Sequence, residues 1–159
     1  MHYMENKTNA MRILDSKKIS YTVHNYSDSN AISGIDVAKY LNEDPNVVFK
    51  TLVTVGKSRN HYVFLVPVDK ELDLKKAAKC VNEKNIEMIK SKELLPLTGY
   101  IHGGCSPIGM KKQFKTVVDI SAANQDKIIF SAGKIGYQID TTINELKKVI
   151  SFELCDICV

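Results

Sequence analysis

The sequence predicts an α+β fold: a mixed, largely antiparallel sheet curled towards a barrel, with helices packed outside. Three observations lead there. Strand-like alternation runs through two successive segments, VVFKTLVTV and HYVFLVPV, joined by a polar turn. Further strand and helix segments are intermixed without a regular βαβ period. The chain has 159 residues, 44% of them hydrophobic, which suits one domain with a real core, so residues 1–159 are read as one unit.

A first helix is expected over about Asn6–Lys17, with Ala10, Met11 and Leu14 as its apolar stripe and Asn6 or Thr8 as its cap. Ile19–Tyr26 alternates as a half-buried strand, and Ser27–Ser33 reads as loop. A helix over Gly34–Leu41 stops at Asn42-Glu43-Asp44-Pro45. Val47–Val55 and His61–Val68 form a hairpin around Lys57–Asn60. Asp73–Cys80 is a helix capped by its aspartate, Ile86–Ile89 a short strand, and Ser91 opens a helix that Pro96 ends or caps. Strands follow at Thr116–Ile120, Lys127–Ser131 and Tyr137–Asp140, and Thr142–Val149 closes with a helix.

The net charge of +4 permits a nucleic-acid partner without demanding one. No apolar run has the length of a membrane span, and the N-terminus shows no secretory h-region, so a cytoplasmic protein with no membrane partner is expected. Cys80, Cys105, Cys155 and Cys158 are then expected as reduced thiols, and the Cys155-x-x-Cys158 spacing as incidental. The histidines show no i, i+4 metal pair, and mid-strand His24 reads as a packed or surface side chain; no metal site is expected.

The segment HGGCSPIGMKKQFKTVVD, His102–Asp119, is the most informative. A Gly-Gly-x-Ser-Pro-x-Gly loop can aim several backbone N–H groups at one point, as binding a phosphate or an oxyanion requires. Lys111, Lys112 and Lys115 favour an anionic partner beside it. Cys105 and Ser106 could each be a nucleophile, but no paired base stands at a recognisable spacing, and backbone donation is the more economical role. Lys50 lies inside an apolar strand, sharing one face with Val48, Leu52 and Thr54. Such a lysine either snorkels to water or points into a polar cleft. Ser131-Ala132-Gly133-Lys134-Ile135-Gly136 is a second glycine turn that lacks the P-loop spacing, which excludes a nucleoside triphosphatase of that type.

These segments together resemble the YbaK/EbsC family of aminoacyl-tRNA deacylases, the prolyl-tRNA synthetase-associated editing domains. The resemblance runs nearly end to end, through KKISYTVHNY, VVFKTLV, LDLKKAAK, TGYIHGGCSPIGMKK and FSAGKIGYQI. It implies a mixed α/β domain around a six- or seven-stranded sheet or barrel. It also implies a trans-editing deacylase that releases a misattached amino acid from tRNA, with cysteine on tRNA(Pro) as first choice. The alternatives are another small amino acid such as alanine, or a non-catalytic tRNA-binding module. By the resemblance, Lys50 and Gly103 are catalytic, and Tyr26, Thr51, Ser131 and Gly133 bind the substrate. The glycine loop read on its own adds Gly104 to the catalytic residues and His102 and Ser106 to those that bind the substrate. The implied partners are the aminoacyl-tRNA 3′ end and prolyl-tRNA synthetase, with no DNA; no cofactor is expected. In the best-known cysteine deacylases an acidic residue stands where this chain has Gln138, and a small apolar one where it has Cys105; both bear on specificity rather than reaction class.

Overall fold

The computed structural model describes residues 7–31 and 33–159. Asn6 and His2 lie outside the described residues. The helices follow local chemistry. α1 (Asn9–Ser16) starts where the Thr8 hydroxyl accepts from Met11 N–H, and it buries Ala10, Met11 and Leu14 as the stripe predicted. α2 (Gly34–Tyr40) is capped by Ser33, α3 (Leu74–Cys80) by Asp73 and α5 (Ile143–Lys147) by Thr142, each side-chain oxygen accepting orphan N–H groups of the first turn. α4 (Ser91–Thr98) departs from expectation: Pro96 lies inside it, and Gly99, at φ 86°, ends it. The turn survives because Thr98 Oγ1 donates to Leu94 O and Gly99 N–H to Leu95 O.

Eight strands are assigned among the described residues: β1 (Thr22–Asn25), β2 (Phe49–Gly56), β3 (His61–Pro67), β4 (Ile86–Met88), β5 (Lys115–Asp119), β6 (Ile128–Ser131), β7 (Tyr137–Thr141) and β8 (Phe152–Cys155). They form two sheets, ordered β1-β7-β6 and β4-β2-β3-β5-β8. The β2–β3, β2–β4, β1–β7 and β6–β7 pairs are antiparallel, whereas β3–β5 and β5–β8 are parallel. The sheet is therefore mixed and largely antiparallel, as expected. It is not closed into a barrel: an isolated bridge, Val48 to Ile129, joins the two sheets. β8 was not foreseen; its FELC segment is short and carries a charge.

The main core lies between the sheets and α1, around Phe49, Leu65, Phe130 and Ile139. A second cluster, with Phe64, Val66, Val117 and Ile157, packs under α3 on the opposite face of the five-stranded sheet. Each fully buried Leu, Ile or Phe contributes about 1.5–3 kcal/mol.

The cysteine expectation is corrected. Cys80, at the end of α3, and Cys155, at the end of β8, are joined in a disulfide across 75 residues of sequence. Cys158 is not the partner of Cys155, because the tail turns back to bridge Leu72. The second cluster brings Cys80 and Cys155 together, a tertiary contact with no sequence signature.

Candidate functional site

A cavity of about 400 Å³ opens where β2 loses its neighbour. One edge of β2 pairs with β3 along its length, from Phe49 to Val55. The other edge pairs with β4 at Thr54–Gly56, with Ile89 N–H reaching Val53 O, and just ahead of β2 Val47 O and the Val48 bridge meet β6. The intervening backbone is an open edge, so residues from both faces of β2 line the cavity, Lys50 and Thr51 among them. α2 contributes its first turn (Gly34 and Val37), and Met88–Ser91 contribute the rim between β4 and α4. The glycine loop supplies His102, Gly103 and Cys105, and the three-stranded sheet supplies Ser131 and Gln138.

The double glycine divides its labour. Gly103 holds φ 86°, a backbone conformation that side chains resist, and it faces the cavity. Gly104 instead lets two turns meet: a Cβ there would lie 3.1 Å from Ile135 N and 3.3 Å from Lys134 Cα. Its N–H donates to Ile101 O at 2.9 Å, so that amide is committed to the turn.

Tyr26 is 4% exposed and lines the cavity, and Gln138 Nε2 donates to its hydroxyl at 3.4 Å. Lys50 keeps 29% of its side chain exposed, with Glu71 Oε1 3.8 Å from its ammonium. Burial pushes the Cys105 thiol up to about 12, which keeps it protonated and makes it a poor nucleophile. Two side-chain oxygens in the wall, Thr51 Oγ1 and Gln138 Oε1, are buried without a hydrogen-bond partner in the protein.

Residues 30–149 match the aminoacyl-tRNA editing domain family. The chain belongs to that family. EbsC of Enterococcus faecalis, provisionally named a Cys-tRNA(Pro)/Cys-tRNA(Cys) deacylase, is 46% identical over 137 residues, spanning 86% of this chain and 84% of its own. Among solved structures, hypothetical protein APE2540 superposes with a TM-score of 0.87 at 17% identity, over 96% of this chain and 100% of its own. A protein provisionally described as a trans-editing enzyme for prolyl tRNA synthetase superposes at 0.84 and 19% identity, over 99% of each chain. At those identities the superpositions establish the fold.

In this editing domain the structure gathers Tyr26, Lys50, Thr51, His102, Gly103 and Ser131 around one cavity. It does not bring Gly104, Ser106 or Gly133 to the wall. Ser106 is fully buried and its hydroxyl accepts from Ile108 N–H at 3.2 Å, bracing the loop from inside. Gly133 sits against the Tyr100 ring, where a Cβ would come within 2.9 Å. The lysines of the wall are Lys50 and Lys90, not Lys111, Lys112 or Lys115. Sequence reasoning missed the contributions of α2 and of Met88–Ser91, which carry no motif and reach the cavity only through tertiary packing.

His24, Glu43 and Asp140 offer ligand atoms within 4.8 Å of one another, the donor set of a cation site. The chain supplies its own cation there: Lys127 Nζ lies 2.7 Å from Glu43 Oε1 and 3.8 Å from Asp140 Oδ2. His24 Nε2 is 2.8 Å from Asp140 Oδ2, so His24 is a packed, hydrogen-bonded side chain. No helix among the described residues is long and apolar enough to cross a membrane.

Proposed function

We propose that this editing domain, acting as one unit over residues 1–159, is a cytoplasmic deacylase that releases misattached cysteine from Cys-tRNA(Pro) in trans. The observation that carries this reading is that Lys50 and Gly103 line the same cavity in a member of the editing family. The name of the 46% identical EbsC supports cysteine and tRNA(Pro) as the first choice.

Cleaving an aminoacyl ester builds negative charge on the carbonyl oxygen. A backbone N–H at Gly103 is a fixed donor for that charge, and such a donor is worth about 3 kcal/mol in acyl-transfer sites. The role of Gly104 is to hold Gly103 in place through the turn its own N–H closes. Lys50 holds the phosphate or ribose of the tRNA end as a point charge, and Glu71, 84% exposed, yields it readily to a stronger anion. Tyr26, Thr51, His102 and Ser131 shape the pocket; Ser106 and Gly133 act on it through the loop and the turn they brace. With Cys105 protonated, the protein offers no thiolate, which suits a reaction in which the substrate's own thiol attacks its ester. Prolyl-tRNA synthetase is the partner that would deliver tRNA(Pro), and the chemistry proposed here requires no cofactor.

The test is a deacylation panel of mischarged tRNAs with wild type and Lys50→Ala. Release of cysteine from Cys-tRNA(Pro), abolished by the substitution, is the expected result. Release of alanine without cysteine would move the reading to another small amino acid. Binding of tRNA with no release of any amino acid would replace it with a binding module.

A further inference from the structure

Tyr100 stands behind the cavity wall rather than in it: it is buried, and it is not one of the lining residues. Its hydroxyl donates to Ile108 O, eight residues along the chain. That bond closes the backbone around the glycine loop, with Gly103 inside the closure. The Tyr100 end is pinned where its N–H donates to Thr98 Oγ1 at 3.0 Å and Lys111 N–H donates to Thr98 O at 2.9 Å. The other end is pinned where Ile108 N–H donates to Ser106 Oγ and Asn9 Nδ2 donates to Gly109 O, both at 3.2 Å. Burial and the neighbouring Cys105 push the Tyr100 phenol up to about 12, so its hydroxyl remains a donor at neutral pH.

The same side chain reaches the second glycine turn. A Cβ on Gly133 would lie 2.9 Å from Tyr100 Cε1, so the ring rests directly on that turn. Gly133 N–H donates to Ser131 Oγ at 3.2 Å, and Ser131 lines the cavity. Loop and turn also touch where Gly104 packs on Lys134 and Ile135. A single contact would leave a pivot between them; the two together set both their separation and their tilt.

We propose that Tyr100 is a positioning residue for deacylation, one that sets the Gly103 N–H relative to Ser131 across the cavity. This rests on the deacylase reading above. A reacting geometry misplaced by about 1 Å can cost about 10²-fold in rate, and a donor needed for developing charge acts on the chemical step rather than on ground-state binding.

The test joins steady-state deacylation of Cys-tRNA(Pro) to amide hydrogen exchange on the full chain. Tyr100→Phe keeps the ring on Gly133 and removes the bond to Ile108 O. It should lower kcat about tenfold with KM within about twofold. It should also speed exchange at Gly104 N–H about tenfold more than at Leu65 N–H in the core. Thr98→Val, which removes the acceptor for Tyr100 N–H, should show the same kinetic split, and Thr98→Ser should restore the wild-type rate. Leu146→Ala, a cavity in the core under α5, should lower the melting temperature and leave kcat per folded molecule unchanged. The proposal is overturned if Tyr100→Phe follows that Leu146→Ala pattern, or if its whole loss lies in KM. It is equally overturned if exchange at Gly104 keeps pace with Leu65. The exchange arm needs no turnover: wild type that releases no amino acid from any tRNA removes the deacylase reading, and exchange at Gly104 still decides whether Tyr100 holds the loop.

Discussion

At the residue scale, Lys50 and Cys105 make opposite demands on the same cavity. Lys50 is partly exposed and pairs weakly with Glu71 at 3.8 Å, a contact worth about 0–1 kcal/mol. Lys50→Ala is therefore expected to lower deacylation by about 10²-fold or more while melting shifts little. A large drop in melting temperature would instead mark the residue as structural. Cys105 is held protonated by burial, its value raised from 9.0 to about 12. A raised value in the fold means that the contribution to stability is complete below the free-thiol value. It is lost as pH climbs towards the folded one, because only the unfolded chain can ionise. Stability should thus fall from about pH 9 towards pH 12 less steeply in Cys105→Ala than in wild type, as denaturant titrations across that range would record. At neutral pH, Cys105 should resist alkylation until the chain unfolds, and mass spectrometry after iodoacetamide treatment checks this. Lys50 and Gly103 stood out as a lysine in an apolar strand and a double glycine before Ser-Pro, but it was their occurrence together, in the order the family resemblance supplies, that marked them as candidates. The different duties of Gly103 and Gly104 were not legible, because a committed amide and a neighbouring turn are visible only in coordinates.

At the scale of elements, alternation placed the strands, and the candidate caps Thr8 and Asp73 placed α1 and α3 because they act on N–H groups two or three residues away; the structure adds Ser33 and Thr142 as the caps of α2 and α5. Replacing Thr8 by Ala should cost about 1 kcal/mol of stability, measured by chemical unfolding. The edge elements were harder. β8 is held by its parallel pairing to β5 and by the disulfide between Cys155 and Cys80, both remote in sequence. Closing a 75-residue separation removes chain entropy worth about 4 kcal/mol from the unfolded state. Reduction, or Cys80→Ser, should accordingly lower the melting temperature by about 8–16 °C; a change of a degree or two would show that the bond does not constrain this chain.

At the scale of the whole molecule, a net charge of +4 and two lysines in the cavity wall suit a polyanionic partner. Affinity for a tRNA acceptor end should fall steadily with added salt, and Lys50→Ala should flatten that slope by roughly one phosphate contact. By itself the sequence determined the α+β class, the Asp73 cap, the β2–β3 hairpin and the motifs that point to the editing family. All of these rest on interactions between residues close along the chain or on side-chain types that stand out alone. Only tertiary structure decided that the sheet stays open, that Cys80 pairs with Cys155, and that one edge of β2 is left bare. That bare edge is what lets Lys50, Thr51, Gly103 and Gln138 meet, because a cavity is made by the elements that fail to pair, and pairing between distant segments is a property of the packed chain.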